Sequence, residues 1–168
     1  MKSDLPIIGK TRKINLIGHV SGVPAKIDTG ADSSAVWASN ISIDESGTLH
    51  FTLFDKGSEF YSGEVISRKA FKVASVRSSN GQVQIRYRTE LPIRLGGKRI
   101  RVLFNLSDRS NNEYPILIGR RTIAGKFLLD VERGLKKKKN TVITRALSNE
   151  LERDPYAFYQ KYHQKLDD

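Results

Sequence analysis

The sequence predicts an all-β domain followed by a helical extension. Short apolar runs of strand length recur between turn signals, and period-two alternation governs the longest of them. Helical patterning is confined to the stretch after about Asn149. The expected organisation is therefore a β domain over 1–131, a basic linker over 132–148 and a C-terminal helix over 149–168.

Composition narrows the function classes. A chain of 168 residues is one ordinary domain with room for a packed core. With no cysteine it has no disulfide, no thiol nucleophile and none of the usual structural zinc sites. The net charge of +11 calls for an anionic partner, nucleic acid being the first to consider. That charge falls in one run, Lys136–Lys139, and on Arg86, Arg88, Arg94, Lys98, Arg99 and Arg101 along strands. No helix-turn-helix, RNA-recognition signature or zinc finger accompanies it, so a nucleic-acid partner is not expected. Charges so placed suit solvated strand faces and edges. The first residues lack the apolar run of a leader, and no stretch is long enough for a membrane span. The chain is expected to be soluble and cytoplasmic, with the periplasm open if a leader is missing.

In chain order, Lys13 to Val20 and Val23 to Ile27 form two strand-like runs about Ser21-Gly22 and feed the stretch Ala25 to Val36. There Ile27 leads into Asp28-Thr29-Gly30-Ala31-Asp32, with Gly30 read as the source of backbone freedom. A carboxylate on such a turn is held by its strand with its oxygens toward a cleft. Asp and Gly also close ordinary turns, so the tripeptide alone decides nothing. Over 40–70 only Leu49 to Leu53 alternates clearly, with a turn at Asp55 to Ser58.

From Phe71 to Thr89, two runs flank Asn80-Gly81, the dipeptide favoured in two-residue I′ hairpins. On the second arm Val83, Ile85 and Tyr87 alternate with Gln84, Arg86 and Arg88, giving one apolar and one polar face. Leu91 to Leu95 and Arg99 to Leu106 form another hairpin about Gly96-Gly97-Lys98. A polar loop then reaches Tyr114-Pro115-Ile116-Leu117-Ile118-Gly119-Arg120, a buried strand ending in a glycine where another backbone must pass. One helical turn over 121–125 and a last strand over 127–131 close the domain. In the tail, Asp154 before Pro155 is an N-cap with proline at the first helical position. Tyr159, Tyr162 or His163, and Leu166 then share a face, suited to docking.

Apolar-Asp28-Thr29-Gly30-Ala31-Asp32, followed downstream by apolar-Gly119-Arg120, resembles the retropepsin-like aspartic proteases. Ser78-Ser79-Asn80-Gly81, Glu90 to Gly97 and Leu106 to Arg109 sharpen the resemblance to a bacterial group often labelled ATP-dependent zinc proteases, over roughly residues 5 to 131. The sequence holds no phosphate loop ending in Gly-Lys-Ser/Thr and no His-Glu-x-x-His, and His19, His50 and His163 are scattered. No metal and no cofactor are expected.

The resemblance implies a closed acid-protease β-barrel in which the Gly119 strand passes through the Asp28 loop. It implies Asp28 as catalytic carboxylate, Thr29 and Gly30 bracing the loop, and Ala31 and Asp32 contacting bound peptide. It further implies Asp32 paired with Arg120, Gly119 and Arg120 as structural support, and a flap over substrate with its tip at Ser78, Ser79, Asn80 and Gly81. With one Asp-Thr-Gly per chain, half a site per chain implies a homodimer acting on a peptide or protein. Arg86, Arg88 and the basic balance raise an acidic peptide as one substrate class. A catalytically silent peptide-binding module of the same fold is the alternative.

Overall fold

The computed structural model describes residues 4–77, 81–136 and 141–163. These form two compact units, one up to Leu135 and one from Lys136 onward. The first unit contains eleven strands, β1 (Ile7–Gly9), β2 (Thr11–Leu16), β3 (Val20–Asp28), β4 (Ser34–Ile43), β5 (Leu49–Leu53), β6 (Val65–Arg68), β7 (Lys72–Arg77), β8 (Val83–Leu95), β9 (Lys98–Ser107), β10 (Ile116–Gly119) and β11 (Leu128–Asp130). Its single helical turn is α1 (Arg120–Ile123).

Six strands close a barrel in the order β10-β3-β2-β8-β9-β4, because β10 also pairs with β4. β5 and β6 extend the sheet beyond β4, β7 pairs with β8, and β1 pairs parallel with β11 in a separate two-stranded sheet. Alternation fills the barrel: Leu91, Ile93 and Leu95 of β8 and Val102, Phe104 and Leu106 of β9 are buried with Val23, Ala25, Ile116 and Ile118. At roughly 1.5–3 kcal/mol for each fully buried large apolar side chain, this interior is the main stabilising term.

The β2–β3 hairpin forms, but its turn lies at 17–19 and not at Ser21-Gly22, which belong to β3; the two later hairpins form as well. Leu95 pairs with Lys98 across Gly96-Gly97, whose φ values of 54° and 81° suit a two-residue I′ turn. Gly96 is needed for space as well, since a Cβ there would sit 2.8 Å from the Phe127 ring and 2.9 Å from Ile8. In the β7–β8 hairpin Lys72 pairs with Arg88 and Arg77 with Val83. The expected turn on Asn80-Gly81 falls at the tip beyond that last pair. Ser78, Ser79 and Asn80 lie outside the described residues; Gly81 has φ 84°.

The β unit also reaches past the expected boundary at residue 131. Lys10 N–H donates to Arg133 O at 2.8 Å and Leu135 N–H to Thr11 Oγ1 at 2.7 Å. In the second unit, α2 (Thr141–Arg153) starts well before the expected Asn149, and α3 (Pro155–His163) follows Asp154. Asp154 Oδ1 caps α3 by accepting from Ala157 N–H at 3.0 Å. The two helices are tied by Glu150, which accepts from Lys161 Nζ at 2.5 Å and Tyr162 OH at 2.9 Å. Leu166 and the lysines at 137–139 lie outside the described residues. No helix among the described residues is long and apolar enough to cross a membrane.

Candidate active site

β3 is buried through Val23, Ala25 and Ile27 and ends on Asp28, which is half-buried at the head of an exposed loop. β10 lies between the two arms of that loop. It runs parallel to β3, pairing Ile116 with Ala25 and Gly119 with Asp28, and antiparallel to β4, pairing Ile116 with Val36 and Leu117 with Ala35. Two strands of the same sheet thus fix the loop's entry and exit.

Gly119 is the contact point. A Cβ there would fall 2.5 Å from both the carbonyl carbon and the oxygen of Ser33, and 2.9 Å from Asp32 C. Only a bare α-carbon admits the crossing. Gly119 N–H donates to Ser34 Oγ at 3.0 Å, Arg120 N–H to Ala31 O at 2.8 Å and Arg121 N–H to Asp32 O at 3.3 Å. The loop carbonyls thereby take amides that the start of α1 would leave unpaired.

The carboxylate is held from within the loop. Gly30 N–H donates to Asp28 Oδ1 at 3.0 Å, and Ala31 N–H to Asp28 O at 3.3 Å. Gly30 is absent from the positive-φ glycines, so the backbone freedom expected of it is not what the turn uses. Its space is used instead: a Cβ on Gly30 would stand 3.2 Å from Asp28 Oδ1. Asp32 pairs with Arg120 Nη2, and Arg121 Nη2 lies 3.8 Å from its other oxygen. Asp28 to Asp32, Gly119 and Arg120 therefore form one continuous structure, with Thr29 exposed at its rim.

Three contributors carry no role in the motif reading. Buried Ser34 links Gly119 N–H to Thr122 Oγ1, at 2.9 Å. Asn105, at the inner end of β9, donates through Nδ2 to Ser33 Oγ at 3.0 Å. Arg109 is half-buried and donates through Nε to Tyr114 O at 3.1 Å, just ahead of β10. Burial and the nearby Arg86 charge push its guanidinium below the ordinary value, and the Asp28 carboxylate pulls the other way. Arg109 is therefore within electrostatic reach of both Arg86 on β8 and Asp28. Ser33 and Ser34 adjoin the Asp-Thr-Gly motif, but the serine code alone does not distinguish a loop brace from a solvated residue. Among the described residues no group of three His, Asp or Glu side chains lies close enough to hold a metal ion.

A strand-end Asp-Thr-Gly loop crossed by a Gly-Arg strand is matched at the family level. A model described as the RimB-like family, retropepsin-like aspartic endopeptidase RimB, matches residues 7–140. The chain belongs to the RimB-like family. Two curated relatives, each named a probable alpha-L-glutamate ligase, come from Shewanella halifaxensis and Shewanella pealeana. Each is 31% identical over 114 residues, covering 66% of this RimB-like chain and 25% of the relative. The match thus takes in about a quarter of their length. A solved structure from Legionella pneumophila strain Philadelphia 1, of unknown function, aligns with TM-score 0.60 and 30% identity, covering 78% of this chain and 97% of that one.

Proposed function

We propose that the chain is an aspartic endopeptidase that acts as a homodimer, with one Asp28 from each protomer on a two-fold axis. The observation that carries this reading is the Asp28 loop itself, fixed by the β10 crossing and offering one carboxylate per chain. Peptide hydrolysis without a metal or a covalent intermediate needs a base for water and an acid for the substrate. Two carboxylates that close share one proton and supply both roles. The ionised carboxylate takes a proton as the water oxygen bonds to the scissile carbonyl carbon, and the protonated one donates to the carbonyl oxygen. The tetrahedral intermediate collapses with the C–N bond as the nitrogen is protonated.

The β7–β8 hairpin is the cover in this reading, its tip at Ser78, Ser79, Asn80 and Gly81. Its Val73, Val83 and Ile85 are 62%, 58% and 71% exposed, an apolar surface in want of a partner on a strand pair that extends from the barrel. Ala31 and Asp32 provide the loop's contacts to peptide. An acidic substrate fits the net charge of +11 and Arg109, whose guanidinium feels both the Arg86 and the Asp28 charge. The glutamate-ligase names of the Shewanella relatives favour a glutamate-bearing chain as that substrate.

The test is cleavage of an unbiased peptide library between roughly pH 4 and 7 at protein concentrations that favour dimers. Wild type should cut, and Asp28→Asn should lose at least about 10²–10⁴-fold in rate. Equal cutting by both would dismiss Asp28 as the catalytic group. No cutting by a proven dimer would favour the silent peptide-binding module.

A further inference from the structure

We infer that the outer face of β8 and β9 carries a second binding site, an anion groove that grips an acidic polypeptide outside the Asp28 loop. Outward side chains of β8 and β9 alternate with the buried ones, and most of them are charged. Arg88, Glu90 and Pro92 on one strand meet Arg99, Arg101 and Leu103 on the other, with Glu90 opposite Leu103 and Pro92 opposite Arg101. Arg68 at the end of β6 and Lys72 at the start of β7 wall the same face. Between them lies a cavity of about 470 Å³ floored by Ala70, Phe71 and Leu103. It continues along the sheet in both directions, toward Arg99 on one side and toward Arg121 and Lys126 on the other.

Three features mark this groove as more than a solvated strand face. Its cations are not neutralised: among the described residues no ion pair joins Arg68, Lys72, Arg88, Arg99 or Arg101 to a carboxylate, although Glu90 stands among them. Arg88 Nε is enclosed, with no hydrogen-bond partner among the described residues, a cost that a bound acceptor would remove. At its far end the groove includes Arg121, whose Nη2 lies 3.8 Å from Asp32 on the Asp28 loop. A polypeptide held there extends naturally toward the proposed cleft.

Groove chemistry selects a polypeptide over a nucleic acid. Carboxylates suit the guanidinium forks, and aliphatic stems suit the apolar floor. Base stacking needs free aromatic faces, and Phe71 is already engaged by Tyr87 with centroids 6.1 Å apart at 80°. The site extends the acidic-peptidase reading above, but binding and cleavage can be measured apart.

The experiment is fluorescence anisotropy of a labelled oligoglutamate peptide with the full chain. Wild type and Asp28→Asn should bind alike, with affinity falling as salt rises. Arg68→Gln/Arg101→Gln should bind about tenfold more weakly, the loss of two charge-assisted contacts. Lys10→Gln/Lys13→Gln removes equal charge elsewhere and should stay within about twofold, since screening confines surface charges to short range. Arg68→Lys/Arg101→Lys should recover part of the loss, which a folding defect would not permit. Equal weakening by both Gln pairs, or none by either, overturns the groove. Tighter binding of a labelled single-stranded oligonucleotide, lost in the Arg68/Arg101 variant, reassigns it to nucleic acid. If oligoglutamate binds in the groove but is never cut, the peptidase reading fails while the groove stands.

Discussion

Gly119 and Ser33 are packed so closely that a single methyl group on Gly119 would enter the Ser33 carbonyl, at 2.5 Å. Both partners are backbone, so no side-chain rotation relieves the contact. Gly119→Ala should destabilise the domain by about 1–3 kcal/mol or more, the cost of overpacking a rigid site. Urea unfolding of the variant reads this directly. An unchanged midpoint would mean that the crossing is looser than the contact implies.

Ser34→Ala tests the same junction through its hydrogen bonds. The change removes the acceptor of Gly119 N–H and the partner of Thr122 at a fully buried position. An orphaned buried amide costs about 1–3 kcal/mol, so stability should fall by that amount. Ser34→Thr keeps the oxygen and should recover part of it. Equal loss in both variants would point to packing alone.

Asp32 and Arg120 are 50% and 56% exposed in the single chain, and solvent screens their attraction. Arg120→Lys should therefore lower chain stability by no more than about 1 kcal/mol despite losing the planar fork. In Asp32→Asn the same substitution should cost less still, since the partner is already gone. Strictly additive losses would show that the two side chains do not act as a pair.

Asp44 offers a pH-dependent test away from the site. His50 Nε2 lies 2.7 Å from Asp44 Oδ2, and Ser46 and Thr48 donate to Oδ1; in that order of weight they hold the carboxyl well below its ordinary value of 3.8. A folded-state value below the unfolded one contributes stability that is present above the unfolded value and lost as pH falls through the folded one. The melting-temperature gap between wild type and Asp44→Asn should thus be open near neutral pH and close on acidification below roughly pH 4. A gap that widens on acidification would contradict the assignment.

Much of the site is legible in the residues because its demands are local. Asp28-Thr29-Gly30 ends an apolar strand, and Gly119 ends another. Gly96-Gly97 can be read as a tight hairpin because positive φ leaves few alternatives to glycine. The rest depends on partners distant in sequence. Gly30 looks like a hinge until Asp28 Oδ1 is seen over its α-carbon. The Asn80-Gly81 signal gives a hairpin but not its register, which the pairing of β7 with β8 sets across the whole ribbon. His50 looks isolated in sequence, yet it bridges Asp44 and Ser67, its Nδ1 lying 2.8 Å from Ser67 Oγ. The early start of α2 was readable in the spacing of Ile143, Leu147 and Leu151, but the adjacent lysine run suggested a linker.

The parallel pairing of β10 with β3 has a consequence for biosynthesis. Asp28 is made early, but the strand that clamps its loop is among the last parts of the barrel to leave the ribosome, and β1 waits for β11. Long-range parallel pairings of this kind form late because loop closure must precede them. A nascent chain stalled before Gly119 carries the Asp-Thr-Gly motif without the strand that fixes its loop, so the motif is written into the chain well before its geometry exists.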